Sequence, residues 1–393
     1  MNKLSITDLQ FSGKRVFMRV DFNVPVESGK ITDDTRIEAS LPSVRYVLQQ
    51  GGRLILASHL GRPKGKPEPK YSLKVVASRL SEMLRQPVEF APDCVGPDVQ
   101  KMVSNLRNSA ALLLENLRFH AEEETNDSDF AKQLAALCDV YVNDAFGTAH
   151  RAHASTVGIA RIVRQAAAGF LMQKELESLG HALTKAEKPY VAIVGGAKIS
   201  GKIELIENFL NIANTILIGG AMAYTFFRAK GFETGKSLVE TDKIGLAKEL
   251  LTKASQKNVS IELPVDHIVA SSLDGTDSLV TLVTDTPAQG MGLDIGPETV
   301  RHYSQFIHQA KTIVWNGPMG VFERAQFSKG TFAIARAVAD SNAFSIIGGG
   351  DSAAAVAQAG VESKITHIST GGGASLEFLS GRKLPGVEVL TDK

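Results

Sequence analysis

Apolar residues along the chain fall into two alternating patterns. Short, nearly continuous apolar runs predict strands at residues 16–22, 53–58, 88–91, 111–115 and 140–144. Between them, residues 35–50, 73–85, 97–107 and 129–138 carry apolar side chains three and four positions apart, the spacing of a helix with one buried stripe. Strands that alternate with helices and are apolar on both faces belong to a parallel sheet covered on each side. The rhythm returns in the second half, with strands predicted at 190–194, 215–218, 261–265, 312–315, 344–347 and 364–368. Helical patterns follow at 202–212, 221–229, 242–256, 297–309, 328–340 and 352–358, so a second parallel sheet is expected. Residues 276–286 alternate Leu and Val with Thr and Ser, which predicts a hairpin appended to that sheet.

Between the two halves, residues 169–184 read as one amphipathic helix that ends before the Lys188-Pro189 pair. The fold class is thus α/β, with domains at 1–170 and 171–379. A tail, 380–393, is too short for a core of its own and is expected to dock on the first domain. A length of 393 residues agrees with two domains of roughly 150 residues or more.

Charge narrows the function. Lys and Arg total 43 against 42 Asp and Glu, so the chain lacks the basic surplus of a nucleic-acid binder. Its longest apolar stretches fall far short of the roughly 20 residues that span a bilayer. The opening residues show no basic segment followed by an apolar core. Cys94 and Cys138 share no CxxC spacing, which predicts free thiols rather than a disulfide or a metal site. A cytoplasmic protein with no nucleic-acid or membrane partner is expected.

Of the 35 glycines, 25 lie after residue 170, most where a predicted strand ends. Val194-Gly195-Gly196-Ala197-Lys198, Ile218-Gly219-Gly220-Ala221, Ile347-Gly348-Gly349-Gly350-Asp351-Ser352 and Thr370-Gly371-Gly372-Gly373-Ala374-Ser375 each run from strand through glycine into helix. One such turn only shortens a connection, but four at one sheet edge offer converging backbone N–H groups to a polyphosphate. Residues 196–202 satisfy G-x-x-x-x-G-K, yet Ile203 stands where a P-loop needs a hydroxyl, and no dinucleotide fingerprint is present. Lys198 and Lys202 are expected on one face at a helix start, where cations are disfavoured unless an anion also binds. Asp351 suits either a helix cap or Mg²⁺ held through phosphates. Glu323, after the irregular 315–322 strand exit, is free to accept hydrogen bonds from a ribose.

Arginine marks the other half: 13 of 18 precede residue 170. Arg19, Arg36, Arg62, Arg118 and Arg151 sit at strand ends or in loops, with His59, His153, Asp21 and Asn23 close in sequence. A guanidinium fork matches carboxylate and phosphate, so these loops point to a small, rigid anion.

The runs Arg19-Val20-Asp21-Phe22-Asn23-Val24-Pro25, Ser58-His59-Leu60-Gly61-Arg62-Pro63, Glu115-Asn116-Leu117-Arg118-Phe119 and 143–153 occur in that order. They are followed by Gly195-Gly196-Ala197-Lys198, Trp315-Asn316-Gly317-Pro318 with its continuation to Glu323, and the two triple-glycine turns. Together this colinear set, from about residue 14 to 376, resembles phosphoglycerate kinase. The resemblance implies two Rossmann-like domains joined by a hinge helix, each a parallel sheet with helices on both faces. It implies 3-phosphoglycerate or 1,3-bisphosphoglycerate on the first domain and ATP or ADP with Mg²⁺ on the second, in a monomer. Carried over by motif, Asp21, Asn23, Arg36, His59, Arg62, Arg118 and Arg151 would bind the acid. Lys202, Glu323, Gly349, Gly350, Asp351 and Ser352 would bind nucleotide, with Asp351 at the metal. Gly219, Gly220, Gly292, Leu293, Asn316, Pro318 and Val321 would line the adenosine pocket. Arg19, Lys198 and Gly372 would act on the phosphoryl group. Two departures are visible: Gly201 stands where a short polar residue is usual, which puts the capping of the next helix in doubt, and Ser352 replaces a commoner Thr.

A carboxylate nucleophile is ionised near neutrality and needs no general base, which agrees with the lack of any Ser-His-Asp set. Separate substrate sites imply closure about residues 169–188. Two other classes share the layout. A two-domain dehydrogenase would need the missing fingerprint, and a binding protein closing on an anion would need the missing secretory signal.

Overall fold

The structure, a computed structural model, describes residues 3–393. The chain divides into two compact units: one takes in the chain up to Glu177 together with Lys383–Lys393, and the other is Ser178–Arg382.

In the first unit, six parallel strands lie in the order Val88–Phe90, Ala111–Leu113, Arg53–Ala57, Arg15–Arg19, Val140–Asn143 and Ala166–Ala168. Arg15–Arg19 is central, pairing Arg53–Ala57 on one side and Val140–Asn143 on the other. Chain order reverses there, so the carboxyl ends of these strands frame a crevice. Alternation divides the strand between faces. Val16 and Met18 pack with Ile37, Val44 and Val47 of the helix Thr35–Gln49 and with Val76 and Leu80 of Lys74–Leu84. Phe17 takes the opposite face and stacks on Tyr141, ring centres 6.1 Å apart. Arg19, two positions on, shares that face and is completely buried.

The strand Ala166–Ala168 has no counterpart in the sequence pattern. Three alanines carry no β-branched signal; Val140–Asn143 pairs with them on one side, and the chain ends supply the partners on the other. Ser5 bridges Ala168, Thr391 N–H donates to the Ala166 carbonyl (2.9 Å), and Leu4 N–H donates to the Thr391 carbonyl (2.8 Å). The last residues also bind through Gly386 N–H to the Ala149 carbonyl (2.8 Å) and through Asn143 Nδ2 to the Gly386 carbonyl (3.2 Å).

The second unit holds six parallel strands in the order Ser260–Glu262, Thr215–Ile218, Tyr190–Val194, Thr312–Asn316, Phe344–Gly348 and His367–Ile368. The order reverses between Tyr190–Val194 and Thr312–Asn316, opening a crevice at their carboxyl ends. Beneath it, Ile193, Ile313 and the fully buried Trp315 pack on Tyr303 and Ile307 of Pro297–Gln309 and on Ile334 and Val338 of Lys329–Asp340.

Two expectations fail in this unit. The predicted strand at 261–265 is split: Ser260–Glu262 ends the parallel sheet, and Asp266–Ala270 begins a separate antiparallel one. Pro264 between them has no N–H to continue a ladder. The predicted hairpin at 276–286 contributes only the edge strand Leu279–Leu282, whose partner is Asp266–Ala270; Met291–Ile295 completes the three-stranded sheet on the far side.

The helix Phe170–Thr184 carries the chain from one unit into the other. Its first turn is fixed in the first unit, where Phe170 N–H donates to Ser43 Oγ (2.9 Å) and Met172 N–H donates to Asp144 Oδ1 (3.1 Å). Burial pushes the Asp144 carboxyl up to about 6. Among the described residues, no helix is long and apolar enough to cross a membrane.

Candidate active site

In the first unit, side chains from four strand ends meet at the crevice. Arg19 closes its strand and donates from Nε to Ser155 Oγ (2.8 Å), with Nη2 3.2 Å from His59 Nδ1. Asp21 accepts from Arg36 Nη1 at 2.6 Å, and Asn23 Oδ1 accepts from Gly61 N–H at 2.8 Å. Arg118, whose side chain is 5% exposed, donates from Nη1 to the Gly61 carbonyl (2.9 Å) and lies 3.2 Å from Glu124. Arg151 is half-buried with Nε 3.2 Å from His150 Nε2, and Arg62 is exposed on the loop after Gly61.

The field of these guanidiniums is legible in the imidazoles. Burial, reinforced by Arg19, Arg118 and Arg36, pushes His59 well below its usual range. Burial with Arg19, Arg118 and Arg151 brings His153 to about 3. Both rings are therefore neutral near pH 7. Buried cations need compensation, and a residue that sequence reasoning missed supplies it. Glu123, completely buried, accepts from Ser155 N–H (2.9 Å) and Ser155 Oγ (2.6 Å). Burial raises its carboxyl, while Arg19 and Ser155 hold the rise back. As the middle of Glu122-Glu123-Glu124 it looks like part of a solvated charge run, and nothing in the sequence singles it out.

In the second unit, the glycine turns close on one another. Gly195 N–H donates to the Asn316 carbonyl (3.0 Å) and Gly196 N–H to the Pro318 carbonyl (2.9 Å). A Cβ on Gly195 would sit 2.1 Å from the Pro318 carbonyl oxygen, so only glycine allows this approach. Lys202 reaches into the cradle and bonds the Asn316 side-chain oxygen and carbonyl; Asn316 Nδ2 donates in turn to the Gly348 carbonyl (2.9 Å). Burial brings the Lys202 ammonium down to about 8, against a small opposing pull from Asp351. A lysine placed in this way favours an incoming anion.

Beside it lies a cavity of about 260 Å³ whose lining includes Gly220, Gly292, Leu293, Pro318, Val321, Glu323 and Asp351. Gly219 lies outside that lining, buried against Met319, whose Sδ a Cβ would meet at 2.4 Å. Sequence reasoning missed Tyr224, Phe227, His267 and Asp294 in the same wall. Tyr224 and Phe227 share a face of the helix Met222–Ala229, a period-three signal that was available. Tyr224 Oη lies 2.6 Å from His267 Nδ1, and burial takes His267 to about 4 and Asp294 up to about 7.

Two expectations are corrected here. Lys198 and Lys202 do not share the start of a helix: the helix is Ile203–Ile212, Lys202 is its N-cap, and Lys198 is exposed in the preceding loop. In that loop Ser200 N–H donates to Glu240 Oε2 (3.2 Å) and so is not part of a helical ladder. Asp351 does not cap its helix, since Gly349 is the N-cap of Gly350–Gln358 and Asp351 is exposed in the first turn. Ser352 is buried, and its Oγ accepts from Gly317 N–H at 2.6 Å, so the hydroxyl ties two glycine turns together. Gly372, with φ +51°, is the N-cap of Gly373–Leu379.

Known proteins share this arrangement throughout its length. The family model for phosphoglycerate kinase matches residues 6–382. The phosphoglycerate kinase of Koribacter versatilis (strain Ellin345) is 60% identical and that of Chlorobium chlorochromatii (strain CaD3) 56% identical, each aligned over all of this chain and all of its own. Among solved structures, phosphoglycerate kinase from Coxiella burnetii superposes with a TM-score of 0.90 at 43% identity, and that from Pyrococcus horikoshii OT3 with 0.87 at 38%; each pair covers 98% of both chains. Identity at this level over the whole length leaves one conclusion: the chain belongs to the phosphoglycerate kinase family.

Proposed function

We infer that the two crevices divide the substrates of the family's reaction: the arginine-lined end of the first sheet takes 3-phosphoglycerate or 1,3-bisphosphoglycerate, and the glycine-lined end of the second takes ATP or ADP. The chain is a phosphotransferase with a carboxyl group as acceptor. The observation that carries the division is the gathering of Arg19, Arg36 and Arg118 about a neutral His59, a set of forked donors suited to a small phospho-acid. Asp21 and Asn23 are assigned to its hydroxyl, and Arg62 and Arg151 to its phosphate.

In the second crevice, Lys202 and the backbone of Gly349–Ser352 are assigned to the phosphates and Glu323 to the ribose. Gly219, Gly220, Gly292, Leu293, Asn316, Pro318 and Val321 are assigned to the adenosine. Asp351 is a single exposed carboxylate beside this cradle, and Mg²⁺ takes one or two carboxylates plus phosphate oxygens. It therefore fits as the residue that holds the ion, which when bound neutralises phosphate charge.

The acceptor carboxylate attacks without a base, so these residues position the reactants and offset charge on the moving phosphoryl oxygens. Lys198 and the N–H groups that follow Gly372 are assigned to the terminal phosphate, and Arg19 to the same group on the acid. In-line transfer requires the bound substrates to meet, and we assign that step to closure about residues 169–188. A smaller radius of gyration with both substrates bound supports this, and an unchanged one refutes it. We also assign the enzyme to the cytoplasm as a monomer, which light scattering of the purified chain tests. The decisive assay is coupled turnover with 3-phosphoglycerate, ATP and Mg²⁺, where a rate no higher than that of Lys198→Ala overturns the assignment.

A further inference from the structure

Both cysteines were expected to be plain thiols, and Cys138 fits that description. It is buried, and its Sγ donates to the Ala135 carbonyl at 3.6 Å. Cys94 has different company. It follows Asp93 in the loop after the strand Val88–Phe90, while His120 follows the short turn Leu117–Phe119. A carboxylate oxygen of Asp93, Sγ of Cys94 and a ring nitrogen of His120 all lie within 4.8 Å of one another. Among the described residues, no other group of three His, Cys, Asp or Glu side chains does this.

From these observations we propose that Asp93, Cys94 and His120 form a site for a borderline-soft divalent metal ion of the zinc type. The donor set decides the class. One thiolate sulfur, one imidazole nitrogen and one carboxylate oxygen suit Zn²⁺ or Co²⁺, whereas Mg²⁺ and Ca²⁺ select oxygen. Geometry agrees. With metal–sulfur bonds of ~2.3 Å and metal–nitrogen or metal–oxygen bonds of ~2.0–2.1 Å, ligand atoms in a tetrahedral site stand roughly 3.3–3.6 Å apart. His120 Nε2 and Asp93 Oδ1 are now 2.7 Å apart, so a metal would replace that hydrogen bond with small shifts.

The ligands are also held in place. The His120 ring stacks on Phe130 with centres 5.2 Å apart and planes at 29°. The Asp93 carbonyl accepts from Glu115 N–H at 3.3 Å. Cys94 is buried, while the side chains of His120 and Asp93 are 27% and 47% exposed. The sulfur thus lies on the buried side of the site, and the exposed side would leave a bound ion open to solvent. Binding converts the thiol to a metal-bound thiolate and releases one proton to the buffer, with no change in oxidation state.

The test uses the full chain, reduced and freed of metal with a chelator. Titration with Co²⁺ should give a thiolate-to-cobalt charge-transfer band that saturates at one equivalent, is displaced by Zn²⁺ and is unaffected by excess Mg²⁺. Cys94→Ser should abolish the band and Cys138→Ser should retain it. His120→Ala and Asp93→Asn, both at partly exposed positions, should each weaken Zn²⁺ binding by at least about tenfold in equilibrium dialysis. Absence of the band, a band that survives Cys94→Ser, displacement by Mg²⁺, or unchanged zinc affinity in both exposed variants overturns the site.

Discussion

Lys202 makes a quantitative prediction about protons. Its ammonium is brought down to about 8 by burial, and its hydrogen-bond partner is Asn316. A nucleotide phosphate in the cradle would favour the charged form and return the group toward its ordinary 10.5. Free protein at pH 9 then carries about one tenth of a proton on Lys202 and the complex nearly a whole one, an uptake of about 0.9; at pH 7 the uptake is about 0.1. Above pH 8 the phosphates of ADP are fully ionised, so the proton belongs to the protein. The dissociation constant should rise about fivefold from pH 8 to 9 and about sevenfold from pH 9 to 10. Titration calorimetry of ADP binding in buffers of different ionisation enthalpy measures the uptake directly. Lys202→Gln should remove it and weaken ADP roughly 10- to 150-fold, the worth of a charge-assisted hydrogen bond at about 1.5–3 kcal/mol. No uptake at pH 9 in the unaltered protein, or the same uptake in Lys202→Gln, would refute the argument.

Gly292→Ala places a methyl group 1.5 Å from Tyr224 Oη in the cavity wall, so KM for ATP should rise at least about tenfold while KM for 3-phosphoglycerate holds; equal changes would remove Gly292 from the nucleotide pocket. Arg36→Ala breaks the 2.6 Å pair with Asp21, and we expect a rise of about 10- to 100-fold in KM for the acid with nucleotide KM unchanged; steady-state kinetics that leave the acid KM untouched exclude Arg36 from its site. Asp144 has a carboxyl raised from 3.8 to about 6, so the native state binds the extra proton and stability falls as pH rises from about 4 to 6, then levels. Asp144→Asn should flatten that slope in urea melts, and an unchanged slope assigns it to another group.

The parallel sheets were legible because strands buried on both faces are apolar at every position, as in Tyr190–Val194. Ala166–Ala168 was not, because its pairing is completed by Ser5 and Thr391, far away in sequence. The strand Met291–Ile295 has apolar residues at alternate positions, but Gly292 and Asp294 between them are residue types depleted in strands, which hid it. At the sites, arginines at strand ends could be picked out by position, but the complete burial of Arg19 could not. Burial there depends on Ser155 and Glu123, which sequence spacing does not connect to it. The placing of Lys198 failed for a similar reason: its four-residue spacing from Lys202 suggested one helix face, whereas the helix begins only after Lys202 and the loop before it bonds to Glu240 through Ser200, 40 residues on.

The two crevices balance charge in different ways. A guanidinium is taken out of water only if a carboxylate stands near. Arg36 has Asp21, Arg118 has Glu124, and Arg19 reaches Glu123 through Ser155. These acids let three arginines sit in one crevice without unfolding it through their own repulsion, and they keep the forks oriented before any anion arrives. An incoming phospho-acid then gains from donors that need no reorganisation. The glycine-lined crevice solves the same problem with backbone N–H groups, which carry no net charge and need no counter-ion, so Lys202 and Lys198 are the only cationic side chains assigned there. Acidic partners are therefore built into the arginine-lined crevice, whereas the ammonium of Lys202 is met by the neutral side chain of Asn316.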